Sequence, residues 1–172
     1  MINYKIRLNN INTFIFDMDG VLTNGHVIPF EGISLRAINV KDEYSIQLAI
    51  KLGFKVFVIT GGTNSHIQKR LERLGVTKFI DSCSNKLKAF DHLKNEFDLN
   101  NETTLYMGDD IPDYQLMKII GLAACPQDAS NEIKEISSYQ SPYNGGEGCV
   151  RDVIEQTLKV QSKWMTQDAF EW

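Results

Sequence analysis

The feature that most constrains the fold is an alternation of short apolar runs with amphipathic segments along most of the chain. The apolar runs predict strands over 13–16, 55–60, 79–80, 104–107 and 122–125. Apolar residues at three- and four-residue spacing predict helices over 44–52, 65–74, 85–97, 113–120, 129–136 and 150–161. This order predicts an α/β fold of Rossmann type: a doubly wound parallel sheet with helices on both faces, in three layers.

Length and charge narrow the class further. The chain has 172 residues, which predicts one domain over 1–172. With 18 basic and 22 acidic residues and no basic run, we expect no nucleic-acid partner. The apolar stretches are too short for a membrane span, so we expect no membrane partner. The N-terminus lacks the apolar region of a signal peptide, and the three cysteines are far apart, so we expect a cytoplasmic protein.

Two segments do not fit the alternation. Segment 25–40 has poor periodicity and contains Pro29 and Gly32, which favours a β-hairpin flap beside the end of the first strand. Segment 162–172 is a C-terminal tail that carries three aromatic residues, Trp164, Phe170 and Trp172. Aromatic side chains in such a tail usually pack against something. Either the same domain or a neighbouring subunit could receive them.

Polar residues follow several predicted strands, where parallel sheets bind ligands. Asp17 and Asp19 follow the first strand, and 109–110 is a second acidic pair after the strand 104–107. Close carboxylates repel unless a cation lies between them, and oxygen ligands suit Mg²⁺. Thr60 and Lys86 add a hydroxyl and a cation. Each motif alone is also typical of a turn or a surface helix, but the combination favours phosphoryl transfer with an aspartate as nucleophile.

The same motifs resemble those of the haloacid dehalogenase superfamily of phosphotransferases. Residues 14–23 (FIFDMDGVLT) are similar to its first motif and residues 59–61 to its second, while Lys86 and residues 108–113 resemble the third and fourth. Within the superfamily, the chain resembles the 3-deoxy-D-manno-octulosonate (KDO) 8-phosphate phosphatases. That resemblance lies in Asn39-Val40-Lys41-Asp42-Glu43, in Ser84-Asn85-Lys86-Leu87 and in Gly145-Gly146-Glu147-Gly148 followed by Arg151, and it spans about residues 10–160.

The resemblance implies a role for each matching residue. Asp17 would be the nucleophile and a Mg²⁺ ligand. Asp19 would be the acid and base and would bind Mg²⁺ through its main-chain carbonyl. Asp109 would be the other metal ligand, and Thr60 and Lys86 would hold the phosphoryl oxygens. The implied substrate-contacting residues are Asp19, Asn39, Val40, Lys41, Asp42, Glu43, Gln47, Gly61, Gly62, Arg70, Lys86 and Asp110.

The resemblance also implies an activity and an assembly. The chain would hydrolyse KDO 8-phosphate to KDO and phosphate through an aspartyl-phosphate, with Mg²⁺, in lipopolysaccharide precursor synthesis. It would be a homotetramer whose neighbouring subunits close the site, which favours a neighbour for the aromatic tail. Only 39 residues separate Gly20 from Thr60, and 25 separate Thr60 from Lys86, so we expect a capless core.

Other functions remain open at this stage. Four positions differ from the common family residues: Lys41, Gln47 and Gly62 stand where arginine is common, and Glu43 where glycine is. A nine-carbon keto sugar acid 9-phosphate is therefore an alternative substrate. A phospho-acceptor signalling domain is a remoter alternative, although its acidic pair would follow the first strand and its lysine would come last. Here Lys86 precedes the double aspartate.

Overall fold

A computed structural model describes residues 3–63 and 65–171 of the protein. Six parallel strands form one sheet in the order β5-β4-β1-β6-β7-β8. Their bounds are β1 Thr13–Phe16, β4 Lys55–Ile59, β5 Lys78–Ile80, β6 Thr104–Met107, β7 Leu122–Cys125 and β8 Tyr139–Gln140. The remaining two strands, β2 Ile28–Phe30 and β3 Ile33–Leu35, pair only with each other. The predicted α/β class with a parallel sheet is confirmed.

Helices cover both faces of this sheet. They are α1 Tyr4–Leu8, α2 Val40–Lys51, α3 Ser65–Arg73, α4 Lys86–Phe97, α5 Tyr114–Met117, α6 Asn131–Ile136 and α7 Cys149–Val160. Side chains of β1 alternate between two cores: Phe14 and Phe16 pack with α2 and α7, and Ile15 packs with α4, α5 and α6. The three predicted layers are therefore present. Within the described part of the chain, no helix has both the length and the apolar character needed to cross a membrane.

Two helices differ from the predicted bounds. Helix α2 begins at Val40 and not near residue 44, because the Asn39 side chain accepts the Lys41 N–H (2.9 Å) and caps the helix early. The segment predicted as a helix over 113–120 is mostly shorter turns. A 3-10 turn over Ile111–Asp113 precedes the four residues of α5, since Asp113 is bonded to the strand-end loop.

The predicted flap segment contains an antiparallel hairpin. Strands β2 and β3 pair through Ile28 with Leu35 and Phe30 with Ile33. Its turn uses Gly32 at φ +81°, a conformation that glycine adopts without strain. The apolar side chains of both strands are exposed. A covering function for this hairpin stays a prediction.

The C-terminal tail lies against its own chain up to residue 171. The Arg151 guanidinium lies 5.5 Å from the Trp164 ring. The Tyr44 hydroxyl donates to the Ala169 carbonyl, and Lys51 Nζ donates to the Glu171 carbonyl (2.8 Å). These contacts place the described part of the tail on helix α2 of the same chain, and a contact with a neighbouring subunit stays a prediction. Trp172 lies outside the described residues.

Candidate active site

The strand order brings the predicted chemistry to one edge of the sheet. Strand β1 lies between β4 and β6, so Asp17, Thr60 and Asp109 follow three adjacent parallel strands. They line a cleft of about 380 Å³. Its complete lining is Asp17, Asp19, Thr60, Gly61, Gly62, Cys83, Ser84, Lys86, Asp109, Asp110, Pro112 and Asp113. All four predicted catalytic residues therefore lie around one cavity.

Lys86 is a buried cation between two carboxylates. The Asn85 side chain caps α4 and makes Lys86 the first residue of that helix. Lys86 Nζ lies 2.8 Å from Asp17 Oδ1 and 2.5 Å from Asp113 Oδ1. The residue is only 7% exposed. Burial opposes the charge, but Asp17 and Asp113 outweigh it, so the pKa of Lys86 is raised above its ordinary value.

Asp113 anchors this arrangement. Its Oδ1 accepts from Lys86 and from the Tyr106 hydroxyl (2.5 Å each). Its Oδ2 accepts the N–H groups of Asp109 (3.0 Å) and Asp110 (3.3 Å). Four donors occupy the lone-pair positions of the carboxylate. Asp113 is a functional residue that the sequence patterns did not single out, although its place four residues after Asp109 on a strand-end turn was a usable signal.

A divalent cation fits the acidic cluster. Carboxylate oxygens of Asp17, Asp109 and Asp113 all lie within 4.8 Å of one another. Burial and the charge of Asp113 raise the pKa of Asp17 to about 6. Burial and the charges of Asp17 and Asp113 raise the pKa of Asp109 to about 8. Because Asp113 is fully bonded, Asp17 and Asp109 are the carboxylates with acceptor capacity left for a metal.

Gly20 is required by this cluster. A Cβ at residue 20 would lie 2.0 Å from Asp109 Oδ2, and Gly20 has φ +91°. The glycine-rich loop near the C-terminus packs on the same turn: a Cβ at Gly145 would lie 2.0 Å from the Gly20 carbonyl oxygen. Gly146 N–H donates to the Val21 carbonyl (2.9 Å). Two distant glycine motifs thus meet beside Asp17.

The Asp19 side chain lines the cleft and is bonded to the residue that follows the hairpin. Arg36 donates two hydrogen bonds to the Asp19 carboxylate, from Nε to Oδ1 (2.6 Å) and from Nη2 to Oδ2 (3.0 Å). Thr23 Oγ1 lies 3.2 Å from Oδ1. The Asp19 carboxylate is thus not among the three that form the acidic cluster, and a metal contact through its main-chain carbonyl stays a prediction. Sequence reasoning missed Arg36, although it is the only lysine or arginine in segment 25–40.

Thr60 directly follows β4 and lines the cleft. It is buried, and its Oγ1 accepts the Gly62 N–H (3.2 Å). Its own N–H donates to the Ile80 carbonyl of β5 (2.8 Å). Thr60, Gly61 and Gly62 thus form a short turn that lines the cavity, and the binding of phosphoryl oxygens by Thr60 stays a prediction.

Five of the predicted substrate contacts line the cleft: Asp19, Gly61, Gly62, Lys86 and Asp110. The remaining predicted positions, Asn39, Val40, Lys41, Asp42, Glu43, Gln47 and Arg70, lie outside its lining. Asn39 caps α2 and also donates to the Gly146 carbonyl (3.3 Å). Val40 and Lys41 are exposed, and Gln47 is half-buried on α2.

Asp42 and Glu43 are buried where exposed contacts were expected. Asp42 is 0% exposed, and its Oδ1 accepts the Arg151 N–H (2.7 Å) in the first turn of α7. Burial raises the pKa of Asp42 to about 6. Glu43 forms a two-pronged ion pair with Arg70, including Nη2 to Oε2 at 2.7 Å. As placed, the side chain of Asp42 has no surface for a ligand, and Arg70 already holds a carboxylate.

Comparisons with known proteins identify the relatives of this chain. Residues 78–154 match the family model of the haloacid dehalogenase-like hydrolases. The chain is 34% identical over 158 residues to 3-deoxy-D-manno-octulosonate 8-phosphate phosphatase of Escherichia coli strain K12, covering 91% of this chain and 84% of that protein.

Two solved structures are similarly close. The enzyme of the same name from Yersinia pestis aligns with TM-score 0.91 and 32% identity, over 94% of this chain and 88% of that one. The Moraxella catarrhalis enzyme, in complex with magnesium ion, phosphate ion and KDO, aligns with TM-score 0.91 and 28% identity. That alignment covers 99% of this chain and 97% of the other.

Proposed function

The chain belongs to the family of 3-deoxy-D-manno-octulosonate 8-phosphate phosphatases, which are haloacid dehalogenase-like hydrolases, and from this premise we propose that it converts KDO 8-phosphate to KDO and phosphate with Mg²⁺. The family makes the chain a phosphatase; the substrate, the mechanism and the residue roles are our proposal. The observation that carries it is the buried Asp17–Lys86 pair, with Asp109 beside it at the sheet edge. This step would serve lipopolysaccharide precursor synthesis.

The proposed reaction has two balanced steps. Asp17 attacks phosphorus, the bond from phosphorus to the sugar oxygen breaks, and Asp19 gives a proton to that oxygen. Water then attacks the aspartyl-phosphate and gives its proton to Asp19, which releases inorganic phosphate and restores Asp17. Lys86 and Thr60 hold the phosphoryl oxygens, since both line the cleft beside Asp17.

Asp17, Asp109 and the Asp19 main-chain carbonyl would hold Mg²⁺. Bound there, the ion would offset the repulsion between the acidic groups and neutralise charge on the phosphoryl oxygens. The raised pKa values of Asp17 and Asp109 support this assignment, because they mark two buried carboxylates without enough positive charge nearby.

We further propose a cytoplasmic homotetramer in which neighbouring copies cover the cleft. The support is an exposed apolar face on the hairpin, which a single copy leaves in water. Its residues are Val27, Ile28, Phe30, Ile33 and Leu35. The cytoplasmic assignment is supported by three free cysteines, two of them buried.

The nine-carbon keto sugar acid 9-phosphate is a second candidate substrate. The observation behind it is that Lys41, Glu43, Gln47 and Gly62 differ from the residues common at these positions in the KDO 8-phosphate phosphatases. One of them, Glu43, also holds the Arg70 guanidinium, which is then not free to bind the carboxylate that both candidate substrates carry.

The test is phosphate release by the purified protein with Mg²⁺ and each of the two sugar acid phosphates. We expect higher kcat/KM with KDO 8-phosphate, loss of turnover in Asp17→Asn, and unchanged turnover in Asp91→Asn, an exposed aspartate on α4. A higher kcat/KM with the nine-carbon compound would replace the substrate assignment. Steady turnover by Asp17→Asn would refute the nucleophile, and a single stoichiometric phosphorylation would indicate a signalling domain.

A further inference from the structure

Arg36 is a buried cation on an exposed hairpin. It directly follows β3, whose three side chains are all exposed, yet its own side chain is only 8% exposed. The difference arises because the guanidinium turns inward and binds both oxygens of Asp19. Arginine forms this planar two-bond fork, and lysine does not. The hairpin thus reaches the active site through one side chain.

The hydrogen bonds on the two Asp19 oxygens are unequal. Oδ1 accepts from Arg36 Nε (2.6 Å) and from the Thr23 hydroxyl (3.2 Å). Oδ2 accepts, among the described residues, only from Arg36 Nη2 (3.0 Å). Each carboxylate oxygen offers two acceptor positions. Oδ1 is therefore filled, whereas Oδ2 retains one position.

We propose that Arg36, with Thr23, is a positioning residue that fixes Asp19 so that Oδ2 is the atom that exchanges the proton with the leaving sugar oxygen. This inference rests on the proposed phosphatase function. Asp19 lines the cleft and its side chain is 30% exposed, so a leaving group can reach it. Without the fork, the carboxylate would rotate freely and present either oxygen at a changing angle.

The position of Arg36 also ties the hairpin to catalysis. Arg36 lines a second cavity of about 380 Å³, between the hairpin (residues 32–36) and residues 63 and 65–67 at the start of α3. It therefore stands between this cavity and the cleft that contains Asp19. Any displacement of β3 would move the guanidinium and, through it, the acid.

The experiment compares two substrates that need the acid to different degrees. A sugar phosphate releases an alkoxide, which must be protonated as it leaves, whereas p-nitrophenyl phosphate releases a stable phenolate. kcat/KM reports steps up to release of the alcohol, so hydrolysis of the aspartyl-phosphate does not enter. For Arg36→Ala we expect a loss of roughly 10- to 100-fold on the sugar phosphate and little loss on p-nitrophenyl phosphate.

Further variants separate positioning from folding. Arg36→Lys keeps the charge without the fork, so its loss on the sugar phosphate should be intermediate. Arg36→Ala should cost little once Asp19→Asn is present, because both changes remove the same function. Arg73→Ala, an exposed arginine on α3, is the matched control and should behave as wild type.

Equal losses on both substrates, or additive losses in the double variant, would overturn the role of Arg36 while the phosphatase assignment stands. Absence of Mg²⁺-dependent phosphate release by the wild-type protein would overturn the proposed function and, with it, this inference.

Discussion

The acidic cluster and the hairpin serve the same cleft but are built in opposite ways. In the cluster, Lys86 and Asp113 are buried, and four hydrogen bonds fix the Asp113 carboxylate on strand-end backbone. The hairpin exposes its apolar side chains, and Arg36 links it to the catalytic residues by one ion pair. In the proposed mechanism, the residues around the phosphoryl group are therefore held by the sheet, whereas the acid Asp19 is held by a peripheral element.

The largest expected effect comes from removing the cation of the cluster. Lys86→Met leaves Asp17 and Asp113 buried without their shared partner, and breaking such a pair typically costs 3–5 kcal/mol, so we expect a loss of about that size. The free energy of unfolding from urea denaturation without metal checks this. Lys88→Met, an exposed lysine on the same helix, should change it by about 0.5 kcal/mol at most. Similar losses in both variants would contradict the buried network.

Asp42 gives the contrast to the cluster, because it is a buried carboxylate that forms no ion pair among the described residues. The folded protein raises the pKa of Asp42 from 3.8 to about 6, chiefly through burial. The unfolded state therefore loses its proton first as pH rises from about 4 to 6, and Asp42 removes about 3 kcal/mol of stability over that window.

Asp42→Asn should remove this pH dependence, because the side chain no longer titrates. Urea denaturation at pH 4, 5, 6 and 7 would then show that the free energy of unfolding of the variant increases relative to that of the wild type as pH rises. For Asp91→Asn, on the exposed side of α4, the free energy of unfolding should instead change with pH as it does in the wild type. If the free energy of unfolding of Asp42→Asn showed the same pH dependence as that of the wild type, Asp42 would not be buried in its charged form.

The same substitution, glycine to alanine, can be compared at the acidic cluster and in the hairpin. Gly20 and Gly32 both have left-handed φ, so alanine at either costs about 1–2 kcal/mol of backbone strain. Only at Gly20 would the new Cβ meet Asp109; at Gly32, no described atom lies within 4 Å. We expect Gly20→Ala to weaken Mg²⁺ binding by about 10- to 100-fold and Gly32→Ala to leave it unchanged, measured by Mg²⁺ titration of turnover. An equal weakening of Mg²⁺ binding in both variants would contradict the assignment of Asp109 as a metal ligand.

The smallest effect on folding is expected at the hairpin surface. Phe30 is 53% exposed, so Phe30→Ser should change the free energy of unfolding of one copy by about 0.5 kcal/mol at most. If neighbouring copies cover the hairpin, the same variant should lower the assembly size in sedimentation. Ile119→Ser, an exposed apolar residue away from the hairpin, should not. A wild-type protein that sediments as a single copy would refute the covering role.

Sequence reasoning predicted the sheet well where side chains are buried on both faces. Strands such as β6 are continuous apolar runs, and such runs are typical of a central parallel strand. Strand β8 has only two residues, Tyr139–Gln140, and no apolar run, so its pairing with β7 depends on tertiary structure. Helix α1 was likewise not predicted, because its five residues are too few to show a helical pattern.

The site was predictable only where topology determined it. Asp17, Asp109 and Lys86 meet because ends of parallel strands and the helices after them share an edge. The Arg36–Asp19 pair spans 17 residues and depends on how the hairpin lies, which no local pattern encodes. Acidic residues in the first turn of α2 look like an ordinary exposed helix start, so the burial of Asp42 and Glu43 could not be foreseen.

The contact between Gly145 and Gly20 has a consequence for the order in which the protein becomes functional. The loop that supports Asp17 near the N-terminus is bonded to Gly146, and Asn39 also binds the Gly146 carbonyl. A nascent chain that has not yet emerged from the ribosome as far as residue 146 lacks these supports, although every residue we assign to catalysis has already been synthesised. Activity should therefore appear only after residues 145 and 146 have emerged and packed on the turn at Gly20.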